Sequence, residues 1–481
     1  MSSSIKEKTI KGGLWNGIEQ FGKQVVQFLI GVAMARLLSP NDFGMYAIVI
    51  LVVNFSNVLI NSGFMQALIQ KEKVTQKHYS TVFWFSVLVS VIIYLIFFFL
   101  APLLAVFFNH PTLVKYFRVV SLVIFFVPIN VVTTTILNRK FDFKSPAIII
   151  LTASTASGIA GILMALNGFG IWALITQNIV LQASMTTGFW IAAKWRPELL
   201  FSQKAFSSLF SYGSKILISD VIDFSFRNSY TVVIGKFFST RELGYYNRAN
   251  SFPNVINNIF TSVLGKVSFV SLSALQNDIK KLKSSFIRTI KLQAFLLLPV
   301  MMIFALISDS FIEIVLTKKW MPIVPYIKIL CISLSFYALM KVNSILLKAL
   351  GKSNVYLKLE IYTKVILIVT LFFTYKYTLQ IVLWGNVLSY AIAFGIYAYE
   401  TSKQIKYKLF SQLSDVAIPL MTTLFSAAAI LFFQSIISNK LIDMFISPIV
   451  GILTYFLLSH IFQKEQIIEV KNIIYTIIQR K

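Results

Sequence analysis

Apolar stretches long enough to cross a bilayer follow one another along almost the whole chain. Two examples are WFSVLVSVIIYLIFFFLAPLLAVFF at 84–108 and LQAFLLLPVMMIFALI at 292–307. A helix of about 20 such residues spans the hydrocarbon core of a membrane. Hydrophobic residues make up 57% of the chain and charged residues only 13%, a composition far from that of soluble domains. The sequence therefore predicts an all-α polytopic membrane protein with about 14 transmembrane helices.

Length and hydropathy place these helices approximately, with errors of a few residues at each end. The predicted spans are 12–36, 43–69, 79–108, 114–137, 146–166, 169–193, 206–236, 243–273, 286–307, 322–348, 355–375, 379–400, 413–437 and 441–462.

One short motif occurs twice, as RLLSPNDFGMY at 36–46 and as KFFSTRELGYY at 236–246. In each copy a serine is followed three positions later by an acid, as in a capping box that starts a helix. The glycine after the acid allows two backbones to approach closely. The corner residues of the two copies are Ser39, Asp42, Gly44, Ser239, Glu242 and Gly244.

The repeated corner divides the chain into two related halves. We predict an N-terminal lobe at 1–200 with helices 1–6 and a C-terminal lobe at 201–405 with helices 7–12. The segment 406–481 adds two further helices and a tail. Membrane transporters are often built from such paired repeats, with the binding site where the repeats meet. This organisation predicts two pseudo-symmetric six-helix lobes around a central cavity.

The basic residues are arranged as in membrane proteins. Formal net charge is +26, and Lys and Arg gather in alternate connections, such as NRKFDFK and DIKKLKSSFIRTIK. This positive-inside pattern predicts that both termini lie in the cytoplasm. It also indicates attraction to membrane lipids, and no nucleic-acid partner is expected because no soluble basic domain is present. The three histidines are scattered and Cys331 is the single cysteine, so we predict no metal and no cofactor.

Polar side chains follow one face of each of four predicted spans at matched positions of the two halves. At the helical spacing of 100° per residue, each set shares one face. The residues are Gln20, Lys23 and Gln27; Asn54, Asn57 and Asn61; Asp220, Asp223 and Arg227; and Asn250, Asn254, Asn257 and Asn258.

Ionisable groups inside a membrane normally face protein or water, because their insertion into hydrocarbon costs a few kcal/mol each. The matched sets therefore predict a hydrated cavity walled by spans 1, 2, 7 and 8. The alternative is that the amides tie helices together and that Asp223 neutralises Arg227 one turn away. Glu360 and Lys364 likewise have the spacing of a local ion pair.

Several motifs resemble one family of membrane proteins. ARLLSPNDFGMYA, FMQALIQKEKVTQKHYSTVFW, APLLAVFFNHPTLV, LNRKFDFKSPA and GYYNRANSFP are together similar to the Wzx-type flippases. These form part of the polysaccharide transporter branch of the multidrug/oligosaccharidyl-lipid/polysaccharide exporter superfamily. The resemblance implies two six-helix lobes around a cavity plus two helices, in a bacterial cytoplasmic membrane. It also implies translocation of undecaprenyl-diphosphate-linked oligosaccharide by alternating access, for O-antigen, capsule or exopolysaccharide synthesis.

That implied cargo suggests roles for the polar faces. Lys23 and Arg227 are candidate ligands of the diphosphate, and the repeated asparagines can bond to sugar hydroxyls. Asp220 and Asp223 are candidates for ion coupling, since a carboxylate beside a cavity can change protonation or ligation. A polysaccharide polymerase and glycosyltransferases are the partners that the pathway implies.

Three other functions remain open from sequence. A cation-coupled multidrug exporter of the same superfamily would share the lobes, and a peptidoglycan-precursor flippase would share the lipid diphosphate. A membrane glycan polymerase is the enzyme alternative. It would be expected to carry catalytic residues on a sizeable external loop, and the external connections predicted here are short. The sequence thus predicts a transporter and no enzyme.

Overall fold

The computed structural model describes residues 2–61, 63–437 and 439–479. Every regular element in these ranges is a helix or a helical turn. Backbone donors and acceptors are then satisfied within each segment, as a bilayer requires. Side chains are described in these ranges except at positions 2–14, 16, 18, 263, 266, 473, 474 and 476–479.

The chain divides into two compact units, Met1–Gly244 and Tyr245–Lys481. The helices that lie in the first unit or begin in it are α1 Ser2–Leu37, α2 Pro40–Asn61, α3 Phe64–Gln70, α4 Gln76–Phe107, α5 Leu113–Val120, α6 Val127–Arg139, α7 Lys144–Leu166, α8 Ile171–Ala193, α9 Gln203–Arg227, α10 Ser229–Phe237 and α11 Thr240–Ala274. A 3₁₀ segment, Ser121–Phe126, joins α5 to α6. Most of α11 belongs to the second unit. The lobe boundaries predicted at 200 and 405 stay a prediction.

The second unit continues with seven helices in the described ranges: α12 Ile279–Phe311, α13 Val324–Ala349, α14 Ser353–Thr374, α15 Leu379–Ile405, α16 Leu409–Ile436, α17 Lys440–Phe462 and α18 Lys464–Gln479. Its core lies among α12, α13, α15 and α16, around the fully buried Phe286, Leu346 and Tyr397. In the first unit a hydrophobic core lies around Phe64 and Leu137.

Each predicted span falls on one helix or on consecutive helices, and the prediction of an all-α, multi-pass membrane protein is confirmed. Within the described residues, 10 helical segments are long and apolar enough to cross a membrane. The other long helices are α1, α8, α9 and α14, which are richer in polar residues. α14, for example, carries Lys358, Glu360 and Lys364. The long helices outside the ten apolar segments thus include α1 and α9, two of the four that carry the predicted polar faces.

Both copies of the repeated corner form a capping box. The backbone N–H of Ser39 donates to Asp42 Oδ2 at 2.9 Å, and the N–H of Asp42 donates to Ser39 Oγ at 3.2 Å. In the second copy, Ser239 N and Glu242 Oε2 are 3.3 Å apart, and Glu242 N and Ser239 Oγ are 3.2 Å apart. Two of the free N–H groups at each helix start are satisfied in this way. α2 and α11 therefore begin with the same local geometry.

The two corners also pack directly on each other, through their glycines. A Cβ atom added to Gly44 would lie 1.6 Å from the carbonyl oxygen of Thr240, and one added to Gly244 would lie 1.9 Å from that of Pro40. Each of these Cβ atoms would also be 3.0 Å from the backbone nitrogen of the other glycine. The contact is thus reciprocal, and only residues without a side chain can make it. A hydrogen bond from Thr240 Oγ1 to Asn41 Oδ1 joins the same corners.

We predict that Gly44→Ala and Gly244→Ala each lower the free energy of unfolding by about 1–3 kcal/mol, because the added methyl group must push the corners apart. Gly395→Ala is the matched control, since this glycine lies inside α15 with no atom within 4 Å of its added Cβ. Thermal unfolding of the purified variants in one detergent measures the effect. Equal melting temperatures for all three variants would contradict the importance of the corner contact.

Candidate substrate-binding site

The predicted seventh span is interrupted in the structure. α9 ends at Arg227, Asn228 leaves the helical conformation, and α10 starts at Ser229. The side-chain amide of Asn228 donates to the carbonyl of Phe224 at 2.8 Å, so it satisfies a carbonyl at the helix end. Interrupted membrane helices commonly form the binding sites of transporters, where the freed backbone and side chains can meet a ligand. The break therefore marks the first part of the candidate site.

The charged residues predicted on α9 lie at or within two turns of this break. Asp220 is exposed, and Arg227 forms an ion pair with Asp223, with Arg227 Nε 2.8 Å from Asp223 Oδ2. Both partners remain accessible, at 71% of the Arg227 side chain and 45% of the Asp223 side chain. The pairing predicted as an alternative role for Asp223 is thus present. It leaves most of the guanidinium surface open to another ligand.

The α1 face is also open. Gln20 and Gln27 are exposed and Lys23 is half-buried. No hydrogen bond or ion pair joins Lys23 to Arg227 in the described part of the chain. Close packing on α7 fixes the orientation of α1, since a Cβ on Gly158 would lie 2.1 Å from Ile30 Cδ1.

On α2 the asparagines differ from one another. Asn54 is exposed, while Asn57 and Asn61 are partly buried. The Oδ1 atoms of Asn57 and Asn61 are buried and have no hydrogen-bond partner among the described residues. Phe55 packs on Phe224 of α9 with 5.6 Å between ring centroids. These amides are therefore not used to tie helices together through Oδ1, and their acceptors remain available.

The α11 asparagines are described within the second unit. Asn254 Nδ2 donates to Asn250 Oδ1 at 2.7 Å and to the Asn250 carbonyl at 2.8 Å. Asn257 is 1% exposed, and its Oδ1 has no hydrogen-bond partner among the described residues. Asn258 is exposed. Asn250 and Asn254 thus bond to each other within α11, and the Oδ1 of Asn257 is left unused like those of Asn57 and Asn61.

Sequence reasoning missed one ion pair. Lys341 Nζ on α13 lies 3.3 Å from Glu360 Oε1 on α14. The local pair of Glu360 and Lys364 that the spacing suggests stays a prediction. Lys341 and Glu360 are far apart along the chain, and only the packing of α13 on α14 brings them together. A lysine in the middle of an apolar span was the available signal.

Comparison with known proteins agrees with this architecture. The family model for polysaccharide biosynthesis proteins matches residues 33–325. The chain belongs to this family. It is 22% identical over 338 residues to the succinoglycan biosynthesis transport protein ExoT of Rhizobium meliloti, covering 69% of this chain and 68% of that relative. It is 23% identical over 354 residues to the teichuronic acid biosynthesis protein TuaB of Bacillus subtilis, covering 73% of each.

Two solved structures share the fold of this family member. The lipid II flippase MurJ in an inward closed conformation matches with a TM-score of 0.77 at 19% identity, over 94% of this chain and 99% of that one. An inward-facing multidrug resistance MATE family transporter of the MOP superfamily matches with a TM-score of 0.59 at 15% identity, over 79% and 94% of the two chains. The resemblance to the Wzx-type flippases of this superfamily is confirmed.

The exposure of Arg227 generates a prediction about stability. We expect Arg227→Gln to change the free energy of unfolding by less than about 0.5 kcal/mol, because its ion pair is largely solvated. Arg288→Gln is the comparison. Arg288 Nε lies 2.5 Å from Glu469 Oε1, and the Glu469 side chain is only 13% exposed. Removing the cation would leave this carboxylate unpaired, so a larger loss of stability is expected. Thermal unfolding of both variants distinguishes them. A larger loss for Arg227→Gln would show that Arg227 holds the structure together.

Proposed function

We propose that this protein is a flippase that moves undecaprenyl-diphosphate-linked oligosaccharide across the cytoplasmic membrane by alternating access. The observation that carries the proposal is the exposure of Arg227, Asp223 and Asp220 beside the helix break in the predicted seventh span. Charged side chains exposed at this depth face water or a polar ligand and avoid lipid tails. The family match and the relatives that act in polysaccharide biosynthesis support the same function.

Different polar residues are proposed to bind the different parts of this cargo. A diphosphate and its sugars cannot cross hydrocarbon unaided, whereas the polyprenyl tail can stay in lipid. Arg227 offers its accessible guanidinium to the diphosphate as a planar fork, and Lys23 offers a point charge. The unused acceptors of Asn57 and Asn61 fit sugar hydroxyl donors, which many different sugars provide.

The reciprocal glycine contact is proposed as the gate on the side away from the cytoplasm. It closes the corners before α2 and α11, and the cavity is released on that side when the corners separate. The contact joins two backbones at their glycines, and Thr240 Oγ1 donates to Asn41 Oδ1 beside it. Packed interfaces of this kind can switch between two discrete arrangements during transport.

The orientation and partners follow as further proposals. The basic connections support a cytoplasmic location for both termini, and the cargo then enters from the leaflet where it is assembled. The glycosyltransferases that complete the cargo and the polymerase that consumes it are proposed as pathway partners. A cation-coupled multidrug exporter shares the fold, but the accessible Arg227 and the half-buried Lys23 favour an anionic cargo.

The proposal is tested with lipid-linked glycan from cells that lack this protein. We expect the glycan to accumulate and to be protected from an impermeant glycosidase in intact spheroplasts, because it is stranded on the cytoplasmic leaflet. Accumulated glycan that the enzyme digests would place the defect after translocation, at a polymerase. Absence of accumulation together with raised drug sensitivity would favour an exporter.

Complementation of these cells tests the residues. Arg227→Gln and Lys23→Gln are expected to abolish release of the glycan while membrane abundance stays normal, because each removes a positive charge offered to the diphosphate. Arg288→Lys is the control, since it keeps a charge that faces Glu469 elsewhere in the fold. Full activity of Arg227→Gln would remove this residue from the binding site.

Ion coupling by the α9 carboxylates has its own test. If Asp220 or Asp223 couples an ion, Asp220→Asn or Asp223→Asn makes translocation in vesicles independent of an imposed proton or sodium gradient. Unchanged dependence on the gradient would exclude the residue concerned.

A further inference from the structure

A cavity with a volume of about 430 Å³ lies within the second unit, between the first half of α12 and the first half of α18. α12 contributes Arg288 and Lys291 to its lining, and α18 contributes Glu465 and Glu469. Volumes of roughly 300–1,000 Å³ are typical of sites that bind small ligands. These four residues lie outside the polar faces described above, so the cavity is a separate candidate site.

The cavity lies where neighbouring membrane spans end. α12, α16 and α17 pack on one another, and Lys291 directly precedes the apolar stretch 292–307 of α12. Lys291 Nζ lies 2.9 Å from Oδ1 of Asp415, which is in the second turn of α16. The apolar segment of α17 ends at Phe462, and α18 begins at Lys464. The cavity is therefore at the boundary between hydrocarbon and water.

α18 has the composition of a helix that lies along the membrane surface. Lys464, Ile468, Lys471 and Tyr475 recur at helical spacing on one face, and all four are exposed. Apolar side chains mixed with lysines that can reach the head groups are typical of interfacial helices. The carboxylates that line the cavity lie on the next face of the same helix. A ligand in the cavity would therefore be next to the bilayer.

The charged side chains of the lining are not equally engaged. Arg288 Nε lies 2.5 Å from Glu469 Oε1, and Lys291 is paired with Asp415. The Arg288 side chain is nevertheless 60% exposed, and its two terminal nitrogens have no partner among the described residues. Glu465 is exposed, and its side chain has no ion pair or hydrogen bond in the described ranges. The lining thus offers an accessible guanidinium and an accessible carboxylate.

We propose that this cavity binds a phospholipid whose head group carries both a phosphate and an ammonium group, as phosphatidylethanolamine does. The phosphate accepts hydrogen bonds from the free nitrogens of Arg288, and the ammonium group donates to Glu465. The first methylene groups of the acyl chains contact Ile287 and Ile468, which also line the cavity. This lipid is a resident of the membrane and is distinct from the proposed cargo.

Charge complementarity selects this class of lipid. The positive charges of Arg288 and Lys291 balance the negative charges of Glu465 and Glu469, so the formal charge of the lining is zero. An anionic lipid such as phosphatidylglycerol would pair with Arg288 but would bring a second negative charge beside Glu465, and like charges in contact oppose binding. A head group with both charges pairs with both side chains.

The bound lipid links two helices. Its phosphate is held by Arg288 of α12 and its ammonium group by Glu465 of α18. In the structure an ion pair between Arg288 and Glu469 already joins the same helices, and the lipid adds a second connection. Binding of the lipid therefore stabilises the packing of the C-terminal helix on the second unit.

Native mass spectrometry of the full chain tests the preference. The delipidated protein in detergent is given equal amounts of dioleoyl phosphatidylethanolamine and dioleoyl phosphatidylglycerol, whose acyl chains are identical. We expect the wild-type protein to bind the first lipid about threefold to fivefold more than the second, the contribution of one solvated ion pair. Glu465→Gln should bind the two lipids equally, and Glu465→Lys should prefer phosphatidylglycerol.

Glu72→Gln is the matched control, because Glu72 is an exposed carboxylate between α3 and α4 of the first unit, and it should keep the preference of the wild type. Arg288→Lys should keep it too, since it retains a positive charge for the phosphate. Melting temperatures show whether each variant is folded. Phosphatidylethanolamine should raise the melting temperature of the wild type more than that of Glu465→Gln.

Three results would overturn the lipid site. The folded wild-type protein could bind both lipids equally or prefer phosphatidylglycerol. The preference could persist in Glu465→Gln, which would place the ethanolamine lipid elsewhere on the protein. Soluble phosphoethanolamine could displace the lipid at equal concentration, which would show that the cavity takes a free zwitterion. A preference that disappears only when Glu465 is changed supports the site, and the flippase proposal is independent of these outcomes.

Discussion

Gly44 and Gly244 contact each other through their backbones. They hold equivalent positions at the starts of α2 and α11, so the polar residues of both helices can be counted from them. Asn54 and Asn254 each lie 10 residues after the glycine of their corner. At a rise of 1.5 Å per residue, this places both amides about 15 Å along their helices. Since the hydrocarbon core is about 30 Å thick, this position along each helix supports the proposal that the asparagines contact the cargo, because transporters bind their cargo near the middle of the membrane.

The charged and polar side chains of α1 and α9 account for the absence of these two helices from the apolar candidate spans. α1 and α9 give up hydropathy to carry Lys23 and Arg227, and their orientation is fixed by glycine contacts instead. Gly22 faces Leu151 of α7, and Gly63 approaches the backbone of Gly213. Close helix packing through small residues stabilises membrane helices without a hydrophobic driving force. The fold can therefore hold charged side chains in place while leaving them accessible.

The sequence predicted the positions of the helices and the capping boxes, because both depend on neighbouring residues. All but the last residue of span 79–108 lies in α4, and the capping boxes form at Ser39 and Ser239 as the motif indicated. The break at Asn228 could not be predicted, since Phe28 at the matching position of the first half lies inside the unbroken α1. Nor could the Lys341–Glu360 pair, which depends on how two helices pack. The roles assigned to Lys23, Arg227, Asp220 and Asp223 stay predictions until transport is measured.

The most direct measurement combines translocation with a reversible lock on the corners. Asn41→Cys/Thr240→Cys places two thiols where the hydrogen-bonded side chains now meet, and the single native cysteine, Cys331, is buried. In proteoliposomes, the reduced protein should transfer a lipid-linked oligosaccharide between leaflets, the oxidised protein should not, and reduction should restore transfer. Equal transfer before and after oxidation would contradict the role of the corners as a gate. No transfer by the reduced variant or the wild-type protein would contradict the flippase itself.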